Sequence, residues 1–223
     1  MPFLVLEGLD GAGKSTQVKM IKEYLAQSGH KVEYLHFPRF DAPVFGDMIA
    51  RFLKGEFGDA ASVDPYFVAL LYAEDRAHAS TQINKWLEDG CYVLVDRYVF
   101  SNIGYQCAKV EDAAKRAELC EWILNLEYEY FKLPKPDVSL FLDVPFAFTC
   151  SKLTGERSGD DRSYLDGADD IHEKSLDLQA CVREVYLDSA QKYGDYIKVV
   201  DCSDEDNQMA SAQTIFSRIK PYL

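Results

Sequence analysis

A glycine-rich run near the N-terminus has the residue types and spacing of a phosphate-binding loop. It fits the pattern G-x-x-x-x-G-K-[ST] at every fixed position. Glycines let backbone N–H groups converge on phosphate oxygens, and the N-terminus of a following helix adds partial positive charge. Lys14 would supply a full charge to the β- and γ-phosphates, and Ser15 would coordinate Mg²⁺. The loop therefore predicts ATP binding through Gly8, Leu9, Asp10, Gly11, Ala12, Gly13, Lys14, Ser15 and Thr16.

A second pair of charged residues follows a buried segment in the middle of the chain. Residues 91–95 read CYVLV, and Asp96 and Arg97 come directly after them. An acid at the carboxyl end of a buried strand is where a P-loop fold holds Mg²⁺ or its water shell. The adjacent arginine can clamp a second phosphate. The alternative for Asp96 is a helix cap after the strand.

These residues need a parallel sheet to position them, and the chain alternates apolar strands with helices. Continuous apolar strands are typical of sheets covered by helices on both faces. The pattern predicts an α/β fold of three layers, with a five-stranded, mainly parallel sheet, in a single domain over residues 1–223. We expect strands at 3–7, 32–37, 91–95, 138–142 and 197–200, and helices at 14–27, 44–53, 64–88, 113–131, 168–193 and 207–219.

Composition excludes several classes of protein. With 24 basic and 37 acidic residues, the net charge of −13 argues against a general nucleic-acid or anionic-membrane binder. No apolar run reaches the roughly 20 residues that cross a bilayer. The first residues lack the features of a secretory signal, and the six cysteines form no C-x-x-C pair. We therefore expect a cytoplasmic protein with reduced thiols. The histidines lack metal spacing and are expected to be structural or on the surface, at His30, His36, His78 and His172.

The loop by itself does not identify the reaction, but one class of P-loop protein is disfavoured. GTPases recognise guanine with N-K-x-D, and the closest string here, at residues 84–87, lacks the aspartate. No D-x-x-G occurs outside the loop itself. The pattern favours a small kinase that phosphorylates a second small anion.

Further strings carry a resemblance to the thymidylate kinases, which make dTDP from dTMP and ATP. The most specific is D-R-Y-x-x-S-x-x-x-Y, which begins at Asp96. The others are the loop with its preceding Glu7, Phe-Pro-Arg at 37–39, Leu-Tyr-Ala-Glu-Asp-Arg at 71–76 and Lys-Pro-Asp at 135–137. Together they span about residues 1–145 in order and spacing. The resemblance implies the P-loop kinase fold and a nucleoside monophosphate as acceptor.

The resemblance also implies which side chains bind the acceptor phosphate. Asp10 would contact the acceptor sugar or its phosphate. Arg39 and Arg97 would bind the phosphate, since planar guanidinium groups suit bidentate contacts. Arg39 is the weaker match, because many relatives place this arginine one residue later, where this chain has Phe40. The alternative for Asp10 is a plain turn residue.

The same resemblance assigns the base and the sugar. Tyr72 and Arg76 share one helix face, where Tyr72 would stack on thymine and Arg76 would hydrogen-bond its carbonyl. Asn102 would bond the base edge, and Tyr105 would exclude a 2′-hydroxyl. The alternatives are packing for the two tyrosines and a surface ion pair of Arg76 with Asp75. The implied acceptor site is Asp10, Phe37, Arg39, Tyr72, Arg76, Arg97, Ser101, Asn102 and Tyr105.

One departure from the family pattern points to a catalytic lid. Some thymidylate kinases carry a basic residue at the position of Gly11, and those without it carry a catalytic arginine in the lid. Residues 154–167 place Arg157 and Arg162 among glycines and acids, which predicts a mobile lid that closes over ATP. The alternative is a solvated loop with incidental ion pairs. The implied catalytic residues are Lys14, Asp10, Arg97, Arg157 and Arg162.

The sequence and the resemblance together predict an ATP-dependent kinase that converts dTMP to dTDP. Mg²⁺ is expected with ATP, held by Ser15 and Asp96. The open alternatives are a kinase for another nucleoside or nucleoside monophosphate, and a non-catalytic nucleotide-binding module. The expected partners are the two small-molecule substrates, with no nucleic acid and no membrane. The resemblance also implies a homodimer.

Overall fold

Five short strands form one parallel sheet at the centre of the molecule. The computed structural model describes residues 3–60, 62–154, 165, 170–173 and 175–223. The spatial order of the strands is β2-β3-β1-β4-β5, and every neighbouring pair is parallel. The strands are β1 (Phe3–Gly8), β2 (Val32–His36), β3 (Tyr92–Asp96), β4 (Val138–Asp143) and β5 (Ile197–Asp201).

The described part of the chain has eight helices, of which seven lie between strands and α8 follows β5. A π-helical segment, Asn125–Tyr130, continues the fifth helix, and a 3₁₀ turn ends the chain at Lys220–Tyr222. Asp64 caps α3 by accepting a hydrogen bond from the Tyr66 N–H, and Pro65 occupies its first turn. The helices are α1 (Lys14–Gln27), α2 (Phe45–Leu53), α3 (Pro65–Glu88), α4 (Val99–Cys107), α5 (Ala113–Leu124), α6 (Phe146–Thr154), α7 (Leu176–Lys192) and α8 (Ala212–Ile219).

The central strand β1 is buried on both faces, because successive side chains of a strand point to opposite sides. Phe3 and Val5 pack into the larger apolar cluster, with side chains of α3, α4, α5 and α7. Leu4 and Leu6 pack into the second cluster, with side chains of α1 and α8. The sheet is therefore covered on both faces, and the predicted three-layer α/β fold is confirmed, with all five strands parallel.

Two helices lie outside the ranges given above from the sequence pattern. All nine residues of α4 are buried, so it shows no amphipathic period that a sequence pattern could reveal. The second is α6, which follows β4 directly. Both contact the sites where chemistry was predicted, since α4 follows Asp96 and Arg97 and α6 leads into the expected lid.

Two predicted helix starts were wrong. The helix expected from residue 168 begins at Leu176, because residues 171–173 form a turn and the Ser175 hydroxyl accepts from the Leu178 N–H. The helix expected from residue 207 begins at Ala212 behind Ser211, whose hydroxyl accepts from the Thr214 N–H. A serine cap is a local signal, and in both cases it outweighed the apolar period upstream.

All six cysteines are free thiols. Among the helices of the described residues, none has the length and apolar character to cross a membrane.

Candidate active site

The glycine-rich loop joins β1 to α1 at the carboxyl edge of the sheet. Gly11 and Gly13 adopt left-handed conformations, with φ of 74° and 78°, which glycine reaches without steric cost. No described side chain caps the start of α1. The first helical hydrogen bond runs from the Thr16 N–H to the Gly13 carbonyl, so the backbone N–H groups of Lys14 and Ser15 are available to a phosphate. A Cβ at Gly11 would lie 3.0 Å from the Cβ of Lys152 on α6. An arginine at Gly11 would therefore be strained both by its backbone and by α6.

Lys14 occupies the first position of α1 and is buried. Its ammonium donates to the carbonyl oxygens of Leu9 and Gly8, at 3.0 and 3.4 Å. Burial and the charge of Arg97 lower the pKa of Lys14 to about 8, and Asp96 and Asp10 oppose that shift. An anion bound at the loop would restore the preference for the charged form, since an opposite charge nearby stabilises it.

Asp96 ends β3 directly beside β1, where it pairs in register with Leu6. Its Oδ1 is buried and has no hydrogen-bond partner among the described residues. A buried carboxylate oxygen without a partner is costly unless a cation or water completes it. Ser15 is exposed at the start of α1. This donor set, a carboxylate and a hydroxyl beside a phosphate loop, fits Mg²⁺ brought in with a nucleotide.

A cleft of about 780 Å³, including part of the open solvent, lies next to the loop. Eight of the nine predicted acceptor residues line it. The exception is Arg39, which lines an adjoining groove. Its Nε and its backbone N–H both donate to the Asp75 carboxylate at 2.9 Å, and its Nη2 donates to the Asp75 carbonyl. The eight are Asp10, Phe37, Tyr72, Arg76, Arg97, Ser101, Asn102 and Tyr105.

A network of charged and polar groups closes the end of the cleft nearest the loop. Arg97 donates to Asp10 at 2.7 Å and to the Ser101 hydroxyl at 3.2 Å. The Tyr105 hydroxyl accepts from Arg97 and donates to Asp10 at 2.7 Å. Gln179 of α7 donates to the same carboxylate at 3.0 Å. Burial opposes ionisation of Asp10, but the charges of Arg97 and Lys14 hold its pKa well below the usual range. Asp10 is therefore an ionised group in a network rather than a plain turn residue.

The far end of the cleft contains a fully buried ion pair. Arg76 is 1% exposed and donates through Nε and Nη2 to the carboxylate of Glu127, each at 2.5 Å. Asn102 donates through Nδ2 to the same carboxylate at 2.8 Å and to the Ala69 carbonyl at 3.0 Å. The alternative of a surface ion pair between Arg76 and Asp75 is wrong, because Arg76 is buried and Asp75 binds Arg39 instead.

Glu7 positions the helix that carries Ser101, Asn102 and Tyr105. Its Oε1 accepts from the N–H groups of Tyr98 and Ser101 at the start of α4. Its Oε2 accepts from the hydroxyls of Ser101 and Tyr186, at 2.5 and 3.0 Å. Burial raises the pKa of Glu7 even though these donors stabilise its charge. A carboxylate from the central strand therefore accepts the hydrogen bonds that a capping side chain usually accepts at the start of a helix.

Several residues of the site were missed by sequence reasoning. Gln179 lies in α7, whose start was predicted wrongly, and Glu127 lies in the π-helical segment after α5. Neither residue belongs to a sequence motif that would have pointed to the site. Glu7 was part of a string that carries the family resemblance, but no role was predicted for it. His172 was expected to be structural or on the surface, and it lines the cleft with its ring stacked 5.0 Å from that of Tyr105. Burial lowers the pKa of His172 well below its usual range.

The predicted lid arginines, Arg157 and Arg162, lie outside the described residues. Their catalytic role stays a prediction. The described residues offer a loop with the chemistry of a triphosphate site and, beside it, the Arg97 guanidinium suited to a second small anion. This arrangement suits phosphoryl transfer, which depends mainly on positioning and charge stabilisation.

Comparisons with known proteins agree with this chemistry. The family model described as thymidylate kinase matches residues 6–212. A thymidylate kinase of Mycobacterium tuberculosis is 36% identical over 212 residues, which cover 94% of this chain and 95% of that protein. A probable thymidylate kinase of Thermococcus kodakarensis is 35% identical over 222 residues, covering 97% and 94%.

A solved structure shows that the fold is shared as well. The thymidylate kinase of Candida albicans superposes with a TM-score of 0.72 at 23% identity, covering 99% of this chain and 90% of that one. The chain belongs to the thymidylate kinase family and is a P-loop kinase, as its motifs predicted.

Proposed function

We propose that this kinase transfers the γ-phosphoryl group of ATP to dTMP and releases dTDP and ADP. The observation that carries the proposal is the polarity of the far end of the cleft. Both hydrogens of Asn102 Nδ2 are used, by Glu127 and the Ala69 carbonyl. Asn102 therefore offers only its Oδ1, an acceptor, while Arg76 can only donate.

This pair of groups complements a keto pyrimidine. Thymine and uracil present a donor at N3 and an acceptor at O4, whereas cytosine presents a donor at N4 instead. Arg76 keeps three N–H groups beyond the two that bind Glu127 among the described contacts. It would donate to O4, while Asn102 would accept from N3–H. Tyr72, four residues before Arg76 on the cleft wall, would stack on the base.

The acceptor phosphate would lie beside Arg97, between the base end and the loop. Arg97 neutralises its charge and Asp10 orients Arg97, so that a phosphate oxygen attacks the γ-phosphorus in line. Lys14 stabilises the charge that develops on the phosphates. Mg²⁺, held by Ser15 and Asp96 with ATP, would neutralise the phosphate oxygens. The lid arginines, Arg157 or Arg162, would supply the remaining positive charge, because Gly11 supplies none.

An acceptor panel with coupled ADP detection tests the proposal. With dTMP, dUMP, dCMP, UMP and thymidine at equal concentrations, ADP should form fastest with dTMP. Preference for another nucleotide would assign the enzyme to a related kinase. Absence of ADP formation with every acceptor would favour a nucleotide-binding module without catalysis.

We also propose that Tyr105 selects the deoxyribose. Its side chain is 7% exposed, and its hydroxyl is held between Asp10 and Arg97. Such a fixed ring would exclude a 2′-hydroxyl by its volume. Tyr105→Ala should therefore raise activity on UMP relative to dTMP, and an unchanged ratio would contradict the assignment.

We propose further that the protein acts as a homodimer in the cytoplasm. Large apolar side chains exposed near α2 and α3 support an interface there, at Val44, Phe57 and Phe67. Light scattering should give about twice the 25.3 kDa of one chain. Phe67→Asp should shift the mass towards one chain, and a wild-type mass of one chain at micromolar concentration would contradict the dimer.

A further inference from the structure

Glu127 touches both base-reading side chains although it does not itself line the cleft. It lies in the π-helical segment after α5 and is fully buried. Its two carboxylate oxygens receive three hydrogen bonds, two from Arg76 and one from Asn102. A wider helical turn is closed by the hydrogen bond from the Phe131 N–H to the Leu126 carbonyl. Glu127 lies within this turn, on the side that faces α3 and α4. Such π-helical turns often occur at functional sites.

The charge on Glu127 decides which way the Asn102 amide points. An ionised carboxylate only accepts hydrogen bonds, and so does the Ala69 carbonyl on the other side of Nδ2. A flipped amide would set Oδ1 against two acceptors. Asn102 is 2% exposed, and its Oδ1 is buried without a partner among the described residues. The amide is therefore held with one acceptor unused.

We propose that Glu127 is a positioning residue that sets the donor–acceptor polarity of the base site. It does so by fixing the position of Arg76, which can only donate, and by holding Asn102 with its acceptor oxygen free for the bound base. This inference rests on the proposed function, in which the base is a keto pyrimidine. Specificity against an amino pyrimidine then depends on a carboxylate that never touches the nucleotide.

Glu127→Gln tests this directly, because it keeps the shape and removes the charge. An amide at position 127 keeps one acceptor oxygen and gains an NH₂ group, so it can no longer accept all three hydrogen bonds from Arg76 and Asn102. The guanidinium, the Asn102 amide or both must then shift, and the fixed polarity of the base site is lost. Calorimetry of dTMP and dCMP binding gives the two dissociation constants. The dCMP-to-dTMP ratio of these constants should fall about tenfold or more, the size expected when a hydrogen bond to a charged group is exchanged. ATP binding should change less than about threefold, since the loop lies outside this network.

The matched control is Glu129→Gln, the same change two residues away. Glu129 is exposed, and its ion pairs among the described residues are surface pairs with Lys132 and Lys135, so both constants should stay at the wild-type values. In steady-state assays Glu127→Gln should raise the KM for dTMP and leave kcat at saturating dTMP within about threefold. A variant that loses dTMP and dCMP affinity equally, or keeps the wild-type ratio, would overturn the proposal and leave Glu127 with a structural role alone.

A second variant covers the case in which Glu127→Gln does not fold. Glu127→Asp keeps the charge and reduces the volume, but its shorter side chain cannot hold Arg76 and Asn102 together. The dCMP-to-dTMP ratio should then fall about threefold or more, and an unchanged ratio would overturn the proposal. Because binding is measured without turnover, the test stands apart from the proposed function. If the wild type binds dTMP without phosphorylating it, the proposed function is wrong, but the binding constants still show whether Glu127 sets the polarity of the base site.

Discussion

The phosphate loop and the far end of the acceptor cleft are built in opposite ways. The loop uses nine consecutive residues, Gly8 to Thr16, and would bind phosphate with backbone N–H groups and one lysine. The base end joins Arg76 from α3, Asn102 from α4 and Glu127 from the π-helical segment. Arg76 and Glu127 are 51 residues apart in the chain. One site is local in sequence, and the other exists only in the folded protein.

This difference has consequences for stability. The loop binds through groups that the sheet and α1 would present in any case. The base end depends on buried charges, which are strongly destabilising when one partner is removed. Substitutions in the loop should therefore impair activity and spare the fold, whereas substitutions at the base end should impair both.

The largest effect is expected outside both regions, in the lid. Alanine at the catalytic lid arginine should reduce kcat about 10³-fold or more, the range of arginine fingers. Arg157 is the favoured candidate, because it lies at the lid entry just after α6, and Arg162→Ala is its matched control. The KM for dTMP should barely change, since the contact forms mainly in the transition state. If both variants keep more than about a third of wild-type kcat, the lid covers the nucleotide and neither arginine is catalytic.

Arg76→Ala tests the base end. Loss of the guanidinium leaves the Glu127 carboxylate buried and unpaired, which should lower the free energy of unfolding by about 3–5 kcal/mol. Urea denaturation measures that loss. The double variant Arg76→Met/Glu127→Leu should recover most of it, because an apolar pair of similar volume needs no partner. An Arg76→Ala protein as stable as the wild type would remove the contrast between the two regions.

Lys14→Met tests the loop. The transition state loses a charged donor, so kcat should fall about 10²–10³-fold. The free energy of unfolding should equal or exceed that of the wild type, because burial already disfavours the charged form of Lys14. Lys19→Met, on an exposed position of the same helix, is the control and should retain activity. Near-normal turnover in Lys14→Met would mean that the triphosphate lies elsewhere.

The pH dependence of kcat/KM should differ from that of kcat, because the first reports the free loop and the second the loop with bound nucleotide. This is the smallest of the four expected effects. The pKa of Lys14 is about 8, so kcat/KM for ATP should decline about tenfold per pH unit above that value as the ammonium is lost. Bound phosphates favour the charged form, so the decline of kcat should begin at higher pH. The free energy of unfolding should instead rise with pH in this range. Between pH 8 and 10.5 the unfolded protein keeps the Lys14 proton while the folded protein loses it, so the contribution of Lys14 to stability grows. Equal midpoints for kcat and kcat/KM would contradict this.

The sequence predicted the position of site residues correctly where residues that lie together in the fold are also neighbours in the chain. The loop, Asp96 and Arg97 each follow a buried strand, and the carboxyl ends of parallel strands meet at one edge of a sheet. Local patterns therefore predicted the loop and the fold, and the family resemblance implied eight of the residues that line the cleft. The roles predicted for these residues in binding and catalysis stay predictions, as do those of Arg39 in phosphate binding and of Ser15 and Asp96 in metal binding.

The amino-acid sequence alone determined the strand pattern and the phosphate loop, because short continuous apolar runs and glycine spacing are properties of neighbouring residues. Only the tertiary structure decided what pairs with what: Arg76 with Glu127 rather than Asp75, Arg39 with Asp75, and Gln179 with Asp10. A buried charge takes whichever partner the packing of distant helices brings within reach. That choice depends on helix positions, such as those of the fully buried α4, that no local periodicity records.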